Sequence, residues 1–431
     1  MPEAATVSSI HLHVGQEVAL SGWIYNLRGS GKVAFVLLRD GTGLVQCVAS
    51  VDRLGPETFS RIRRLGQESS IEVTGTVQAD PRATGGYEVR LTGVDVVQEA
   101  LGYPITKKEH GPAFLFDHRH LWLRSRRQQA ILRVRAAAVR ALRGYLDDHD
   151  YLLLDSPILT PNACEGTSTL FGTDYYGRTA WLTQSGQLYQ EAGAMAFRKT
   201  YCFGPTFRAE KSDTRRHLTE FWMVEPEIAW ADLDDVMDAA EDFLVEVVAR
   251  VVAEARPHLE ILERDISVLE RVQKPFPRVS YDEACRRLAD RGIPMEPEDD
   301  FGAPQETALS DLYDRPVMVH RYPAAVKAFY MKRDPVASSR ALCVDVLAPE
   351  GYGEIIGGGQ REDDADALLA RIREHGLPES AFGWYLDLRR YGSCPHGGWG
   401  LGIERFVAWL CGIRHIREAA PFPRTLDRLE P

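Results

Sequence analysis

The chain is short of several things, and each shortage excludes a class of protein. None of its 431 residues fall in an apolar run long enough for a membrane helix, which needs about 20 residues, so no membrane span is expected. The first residues, Met1-Pro-Glu-Ala-Ala-Thr, offer neither a basic start nor an apolar core. No secretory signal is therefore expected, and the expected location is cytoplasmic. The seven cysteines (Cys47, Cys164, Cys202, Cys285, Cys343, Cys394 and Cys411) contain no C-x-x-C pair. That pattern argues against a disulfide framework and a structural zinc site, and for buried free thiols in a reducing compartment. No P-loop is present: Gly31-Lys32 has Asn26 where the first glycine should stand. Neither H-E-x-x-H nor G-x-S-x-G occurs.

Positive charge is also scarce. Lys and Arg total 51 against 62 Asp and Glu, for a net charge of −11. That balance disfavours non-specific attraction to nucleic acid, although a local basic stripe can still hold phosphates. One stripe runs from His118-Arg119-His120 through Arg124, Arg126, Arg127, Arg133, Arg135, Arg140 and Arg143. It reads equally as a phosphate contact or as a solvated helix face.

What is present divides into two architectures. Residues 1–103 hold five short β runs, beginning at Val18, Val33, Leu44, Ile71 and Tyr87, with a helical stretch from Pro56 to Leu65 between the third and fourth. Five short strands with one helix in that place suit a small OB-fold barrel. Residues 104–125 break the pattern with Pro104, Gly111 and Pro112 and read as a hinge. From 126 to 431 helices and strands alternate without an internal repeat, with an insertion expected at about 250–315. The expected class is α+β: the barrel, then a domain of antiparallel sheet flanked by helices.

Three segments of the larger domain carry chemistry. Tyr151-Leu-Leu-Leu-Asp-Ser-Pro-Ile-Leu-Thr-Pro161 is an apolar passage bearing Pro157. Phe207-Arg-Ala-Glu, a charged loop, then Arg216-His-Leu-Thr-Glu-Phe-Trp-Met-Val-Glu-Pro-Glu227 reads as a hairpin with a basic tip. Alternation along its second strand puts Phe221, Met223, Glu225 and Glu227 on one face. An aromatic and two carboxylates there suit a pocket floor better than a core. Gly400-Leu-Gly-Ile-Glu-Arg405 lacks the last glycine of a dinucleotide fingerprint and has no βαβ unit around it.

In order, these segments resemble motifs 1, 2 and 3 of the class II aminoacyl-tRNA synthetases. The resemblance covers almost the whole chain. The barrel ahead of the motifs is similar to the aspartate/asparagine/lysine subgroup. Gly353-Glu-Ile-Ile-Gly-Gly-Gly-Gln-Arg361, Tyr391-Gly-Ser-Cys-Pro-His396 and Pro421-Phe-Pro-Arg-Thr425 are similar to bacterial asparaginyl-tRNA synthetases. The resemblance implies ATP and Mg²⁺, L-asparagine, tRNA(Asn) and an aminoacyl-adenylate intermediate. It also implies a homodimer through the segment around Pro157.

Residue by residue, it implies that Arg208 bridges the α-phosphate and the substrate carboxylate. Glu210, Arg216, His217 and Leu218 line the nucleotide, with Phe221 on the adenine. Glu354, Gly402, Glu404 and Arg405 complete the ATP site, and Arg208 and Arg405 are the expected catalytic pair. Asp345 and Glu354 are the expected metal ligands; Gly357 stands where aspartyl relatives place a serine ligand. Glu165, Gln187, Gln190, Arg208, Glu225 and Arg361 are the expected amino-acid contacts. Gln190 replaces a lysine of aspartyl enzymes, and Glu225 is expected beside Arg361 as an acceptor for the asparagine amide. On the barrel, Arg28, Phe35 and Gln46 are the expected anticodon contacts, although Phe35 on pattern alone reads as core. The loop Asp80–Gly86 is expected near the third anticodon base. Two rival readings stay open: a non-discriminating aspartyl-tRNA synthetase, and a tRNA-independent asparagine synthetase on the same fold.

Overall fold

The structure, a computed structural model, describes residues 2–431 apart from 162–168, 212–213, 294 and 297. It separates into two compact units, Met1–Leu115 and Phe116–Pro431.

The first unit is a barrel of β1 (Glu17–Ser30), β2 (Val33–Arg39), β3 (Leu44–Ser50), β4 (Ser70–Ala79) and β5 (Tyr87–Gln98). β1 pairs with both β2 and β4, β3 with β5, and β4 with β5, which closes the sheet on itself. Strict alternation explains the closure. Ala34, Val36 and Leu38 point inward and are buried with Val18, Leu20, Val73 and Leu91, while intervening residues face out. Phe35 falls on the outer face and is only half-buried, so it is not a core residue. Helix α1 (Pro56–Arg64) starts with proline in its first turn and plugs the barrel with Phe59 and Ile62.

The second unit is built on an eight-stranded sheet. Its members are β6 (Lys199–Phe207), β7 (Glu220–Ala229), β8 (Arg278–Ser280), β9 (Val317–His320), β10 (Cys343–Ala348), β11 (Gly353–Gln360) and β12 (His396–Gly402), plus the two-residue strand Leu152–Leu153. The order is β8-β9-β10-β11-β12-β7-β6-(Leu152–Leu153). Only the two edge pairings are parallel. The central β9-β10-β11-β12-β7-β6 run is antiparallel.

Two long helices back this sheet: α2 (Arg126–Asp148), and α3 (Leu233–Ile261), which is capped by Asp232 accepting from Asp234 and Asp235 amides. Along α3, Val236, Ala240, Phe243, Leu244, Val247, Val248 and Val251 recur at helical spacing and are all buried. At about 1.5–3 kcal/mol for each large side chain, this stripe holds the helix on the sheet. The stretch 250–315, expected as an insertion, begins inside α3 and contributes β8 to the sheet. Its apolar spacing continues that of the preceding helix, so residue 250 marks no boundary.

The basic stripe divides: Arg126, Arg133 and Arg143 are exposed, and others have partners within the protein. Arg119 is buried, Arg127 and Arg135 pair with Glu418 and Glu404, and Arg140 pairs with Glu254. Six cysteines are described and all are free, five of them buried. Among the described residues no helix is long and apolar enough to cross a membrane.

Candidate active site

Hairpin β6–β7 is the frame. Its register sets Cys202 opposite Glu225 and Thr206 opposite Phe221, so alternate residues of β7 meet the open side of the sheet. On the other flank of β12, Ile356 of β11 aligns with Leu401, and Gly357 with Gly400. Two cavities open over these strands and share Arg208, Met223, Glu354 and Gly400.

The first cavity, of about 630 Å³, is lined by Arg208, Arg216, His217, Leu218, Phe221, Gly402, Glu404 and Arg405, together with Ile416. Nine of the ten residues expected at the nucleotide therefore face it; the tenth, Glu210, faces the second cavity. Arg208 lies 5.4 Å from the centroid of the Phe221 ring, and its Nε is buried without a partner among the described residues. An unpaired guanidinium N–H in a cavity is costly unless a ligand meets it. Arg405 donates to the Glu354 carbonyl at 2.5 Å. Arg216 is bonded to Glu306 at 3.0 Å and Thr307 at 3.1 Å, which ties the hairpin tip to a helix no motif marks. Glu404 is turned inward, accepting from Trp222 N at 3.0 Å and paired with Arg135 at 2.7 Å. Burial, reinforced by Arg405 and Arg208, lowers His217 below the ordinary histidine range.

The second cavity is larger, about 1410 Å³, and is lined by Gln187, Arg208, Glu210, Glu225, Lys327, Asp345, Glu354 and Arg361 among others. Glu225 and Arg361 both line it, as expected, but each has its own protein partners. Arg361 pairs with Glu227, Nη2–Oε1 2.5 Å and Nε–Oε1 3.1 Å, with both side chains almost wholly buried. Glu225 is instead bonded to the Ser185 hydroxyl, to Gly186 N at 2.8 Å and to Cys202 Sγ at 3.4 Å. Both carboxylates share the face expected, but Glu227 is the one that reaches the guanidinium. Gln190 does not face the cavity. It is buried behind the wall, where its amide donates to Leu154 O at 2.8 Å and Ser156 Oγ at 3.0 Å. Gln187 faces in and donates to Glu191 at 3.0 Å. Glu191 is acceptor-only and also meets Tyr385, Arg389 and His396. The Gln187 amide nitrogen is thereby turned to Glu191, leaving its oxygen as the free acceptor. Glu165 lies outside the described residues.

Asp345 and Glu354 stand on neighbouring strands. A Cβ at Gly357 would lie 2.5 Å from Glu354 Oε1 and 3.7 Å from Asp345 Oδ1, so that glycine closes the space between them. Two carboxylates facing a cavity are a donor set Mg²⁺ accepts when phosphate and water complete its shell. No cluster of three or more acidic, His or Cys side chains that could hold a metal exists among the described residues. Burial pushes the Asp345 carboxyl up, opposed by Lys327, whose Nζ lies 2.7 Å from Oδ2. Sequence reasoning missed Lys327, Glu306 and Ile416, and it set Glu227 on the pocket face through the alternation of β7 without giving it a role.

On the barrel, Arg28, Phe35 and Gln46 share an open groove with Arg53, Arg82 and Arg90. Arg28 lies 5.7 Å from the Phe35 ring centroid and donates to Gln46 at 3.2 Å. Asp80, Arg82 and Ala83 of the 80–86 loop border the same groove.

A largely antiparallel sheet carrying this hairpin and the Gly400–Arg405 turn into a helix defines the catalytic unit of a class II synthetase. Residues 112–426 match the family of class II tRNA synthetases for D, K and N, and residues 18–97 match the OB-fold nucleic acid binding domain. The chain is 59% identical to an asparagine–tRNA ligase of Sorangium cellulosum and 57% identical to one of Koribacter versatilis. It covers its full length in both matches, with 99% and 100% of those proteins. It also superposes, with a TM-score of 0.97 and 45% identity over all of both chains, on asparaginyl-tRNA synthetase from Pyrococcus horikoshii complexed with asparaginyl-adenylate. The chain belongs to the asparagine–tRNA ligases of that class.

Proposed function

We propose that the protein joins L-asparagine to ATP as asparaginyl-adenylate, releasing pyrophosphate, and then transfers the asparaginyl group to the terminal ribose of tRNA(Asn), releasing AMP. Both rival readings are disfavoured by the full-length likeness to asparagine–tRNA ligases and by the intact barrel.

The observation that carries the reading is the charge arrangement of the second cavity. Arg361 would attract a carboxylate, but Glu227 neutralises it in a buried ion pair. Glu225, held at both oxygens, adds a negative charge, and Gln190 leaves no cation behind the wall. An aspartate side chain about 4 Å from Glu225 would be repelled by roughly 4 kcal/mol at an effective dielectric of about 20. That corresponds to about a thousandfold in binding. An amide there donates to a carboxylate instead.

Arg208 lines both cavities and would hold the substrate carboxylate and the α-phosphate together, as its planar fork allows. Holding the two reacting groups at one guanidinium supplies proximity and neutralises charge as the carboxylate oxygen attacks phosphorus. Phe221, Leu218 and His217 form the base side, and Arg405 the opposite wall. Gln187 offers its oxygen to the α-ammonium, a role Glu165 would share. Mg²⁺ on Asp345 and Glu354 would neutralise phosphate charge.

Phe35, Arg28 and Gln46 read the middle anticodon base by stacking and hydrogen bonding. A homodimer through the Pro157 segment accounts for the exposed apolar side chains Leu152, Ile158, Leu159 and Phe171. The proposed compartment is the cytoplasm. Charging of tRNA(Asn) with labelled asparagine, and with labelled aspartate in parallel, tests the whole reaction; the reading is wrong if only the aspartate label enters tRNA, or if the aspartate label is merely converted to free asparagine.

A further inference from the structure

The base wall of the nucleotide cavity contains Ile416, which belongs to none of the three motifs and sits near the end of the chain. Ile416 packs with Leu218 and Ala420, and Phe221 lies against them. Backbone bonds tie the same stretch to the catalytic hairpin. Ile416 N donates to Arg215 O at 3.2 Å, and Thr219 N to Arg424 O at 3.0 Å.

One buried side chain holds the stretch from behind. Arg119, 1% exposed, donates to Pro421 O at 2.8 Å, to Ala420 O at 2.7 Å and to Glu418 O at 3.2 Å. Its remaining bond, at 2.7 Å, goes to Gln128, which in turn donates to Glu418 at 2.8 Å. Arg127 pairs with Glu418, and Arg135 donates to Ala419 O while pairing with Glu404 in the cavity wall. A guanidinium is a rigid planar fork, so three carbonyls gathered on it fix the path of the backbone that carries them.

We propose that residues 416–424 form a strap that completes the nucleotide pocket. Ile416 is an apolar contact for the base, and Arg119 is the positioning residue that sets the strap. The proposal rests on the nucleotide reading of the first cavity. Arg119 lies nearly three hundred residues before the strap and ahead of all three motifs, where nothing in the sequence marks it as part of the ATP site.

Initial rates of ATP–pyrophosphate exchange, with ATP and asparagine varied in turn, test it. Ile416→Ala is expected to raise KM for ATP about tenfold, since a lost aliphatic contact of this size corresponds to roughly that factor. KM for asparagine should stay within about twofold, because the strap touches only the base side. Arg119→Met is expected to raise KM for ATP at least as much, and Arg119→Lys, which keeps one charged donor, to recover part of it. The Arg119→Met/Ile416→Ala double variant should be no worse than Arg119→Met, because both act through one element. An unchanged KM for ATP in folded Arg119→Met, an equal rise in both KM values, or additive effects would each overturn the proposal. If Arg119→Met does not fold, Gln128→Met, which removes a side-chain partner of both Arg119 and Glu418, is held to the same criteria beside Ile416→Ala. Absence of asparagine-dependent exchange in the unsubstituted protein would overturn the function itself; exchange with an indifferent KM for ATP overturns only the strap.

Discussion

Glu225 accepts at both oxygens, from Ser185 on one and from Gly186 and Cys202 on the other. Its charge is thus fixed in direction before any substrate arrives. Replacing it by the isosteric amide, Glu225→Gln, removes the repulsion toward aspartate. The ratio of kcat/KM for asparagine over aspartate is expected to fall by up to about a thousandfold, the size of a roughly 4 kcal/mol charge term. An unchanged ratio would show that selectivity lies elsewhere. Lys327 makes a second residue-scale case. Its ammonium is the counter-charge of buried Asp345 and lies 3.9 Å from the Tyr322 ring centroid. Lys327→Met leaves that carboxylate buried and unpaired, so urea denaturation without Mg²⁺ should show a loss of about 3–5 kcal/mol. Added Mg²⁺ should recover part of the loss, since a ligand of the folded state alone stabilises it. A variant as stable as the parent without Mg²⁺ would contradict this. Neither residue's partner was legible in the sequence. Glu225 and Glu227 stand on the same strand face, and periodicity cannot say which meets an arginine 134 positions from Glu227. Lys327 lies in an irregular connection, where no spacing rule places a side chain.

Hairpin β6–β7 and strand β12 act as a unit because glycine lets them approach. A Cβ at Gly398 would run into the Pro226 carbonyl oxygen of the neighbouring strand first, and would fall 2.6 Å from Glu227 Cδ, against the carboxylate that holds Arg361. Gly398→Ala should therefore cost about 1–3 kcal/mol of stability through overpacking and raise KM for asparagine more than KM for ATP. Denaturation and exchange kinetics read the two effects, and equal changes in both KM values would argue for general disruption instead. The hairpin itself was legible: alternation gave its pocket face, and the F-R-x-E and R-H-x-x-E-F pattern gave its loop. The basic stripe was not. Arg127 and Arg135 of α2 look solvated on a helical wheel, yet their partners Glu418 and Glu404 come from the far end of the chain. Helical periodicity reports which face a residue occupies and is silent on what docks there.

Two units imply two separable assays. Phe35, Arg28 and Gln46 lie on the barrel, whereas Arg208 and Glu225 lie in the second unit. Phe35→Ala should lower kcat/KM for tRNA charging about 5- to 150-fold, the value of about 1–3 kcal/mol for one stacked base. It should leave ATP–pyrophosphate exchange untouched, and a parallel loss in exchange would contradict the division of labour. At this scale the sequence was most informative: five alternating runs and one helix describe the barrel, and three ordered motifs describe the sheet. The stretch 250–315 was less legible: it starts inside α3, and its strand β8 is only three residues long, too short for alternation to mark it as an edge of the main sheet. The central claim, that the second cavity selects asparagine, is tested most directly by ATP–pyrophosphate exchange on the unsubstituted protein with asparagine and aspartate in parallel. The charge arrangement of Glu225, Glu227 and Arg361 predicts rapid exchange with asparagine and, at equal concentration, exchange with aspartate lower by about two to three orders of magnitude. Comparable exchange with the two amino acids, or a preference for aspartate, would contradict it.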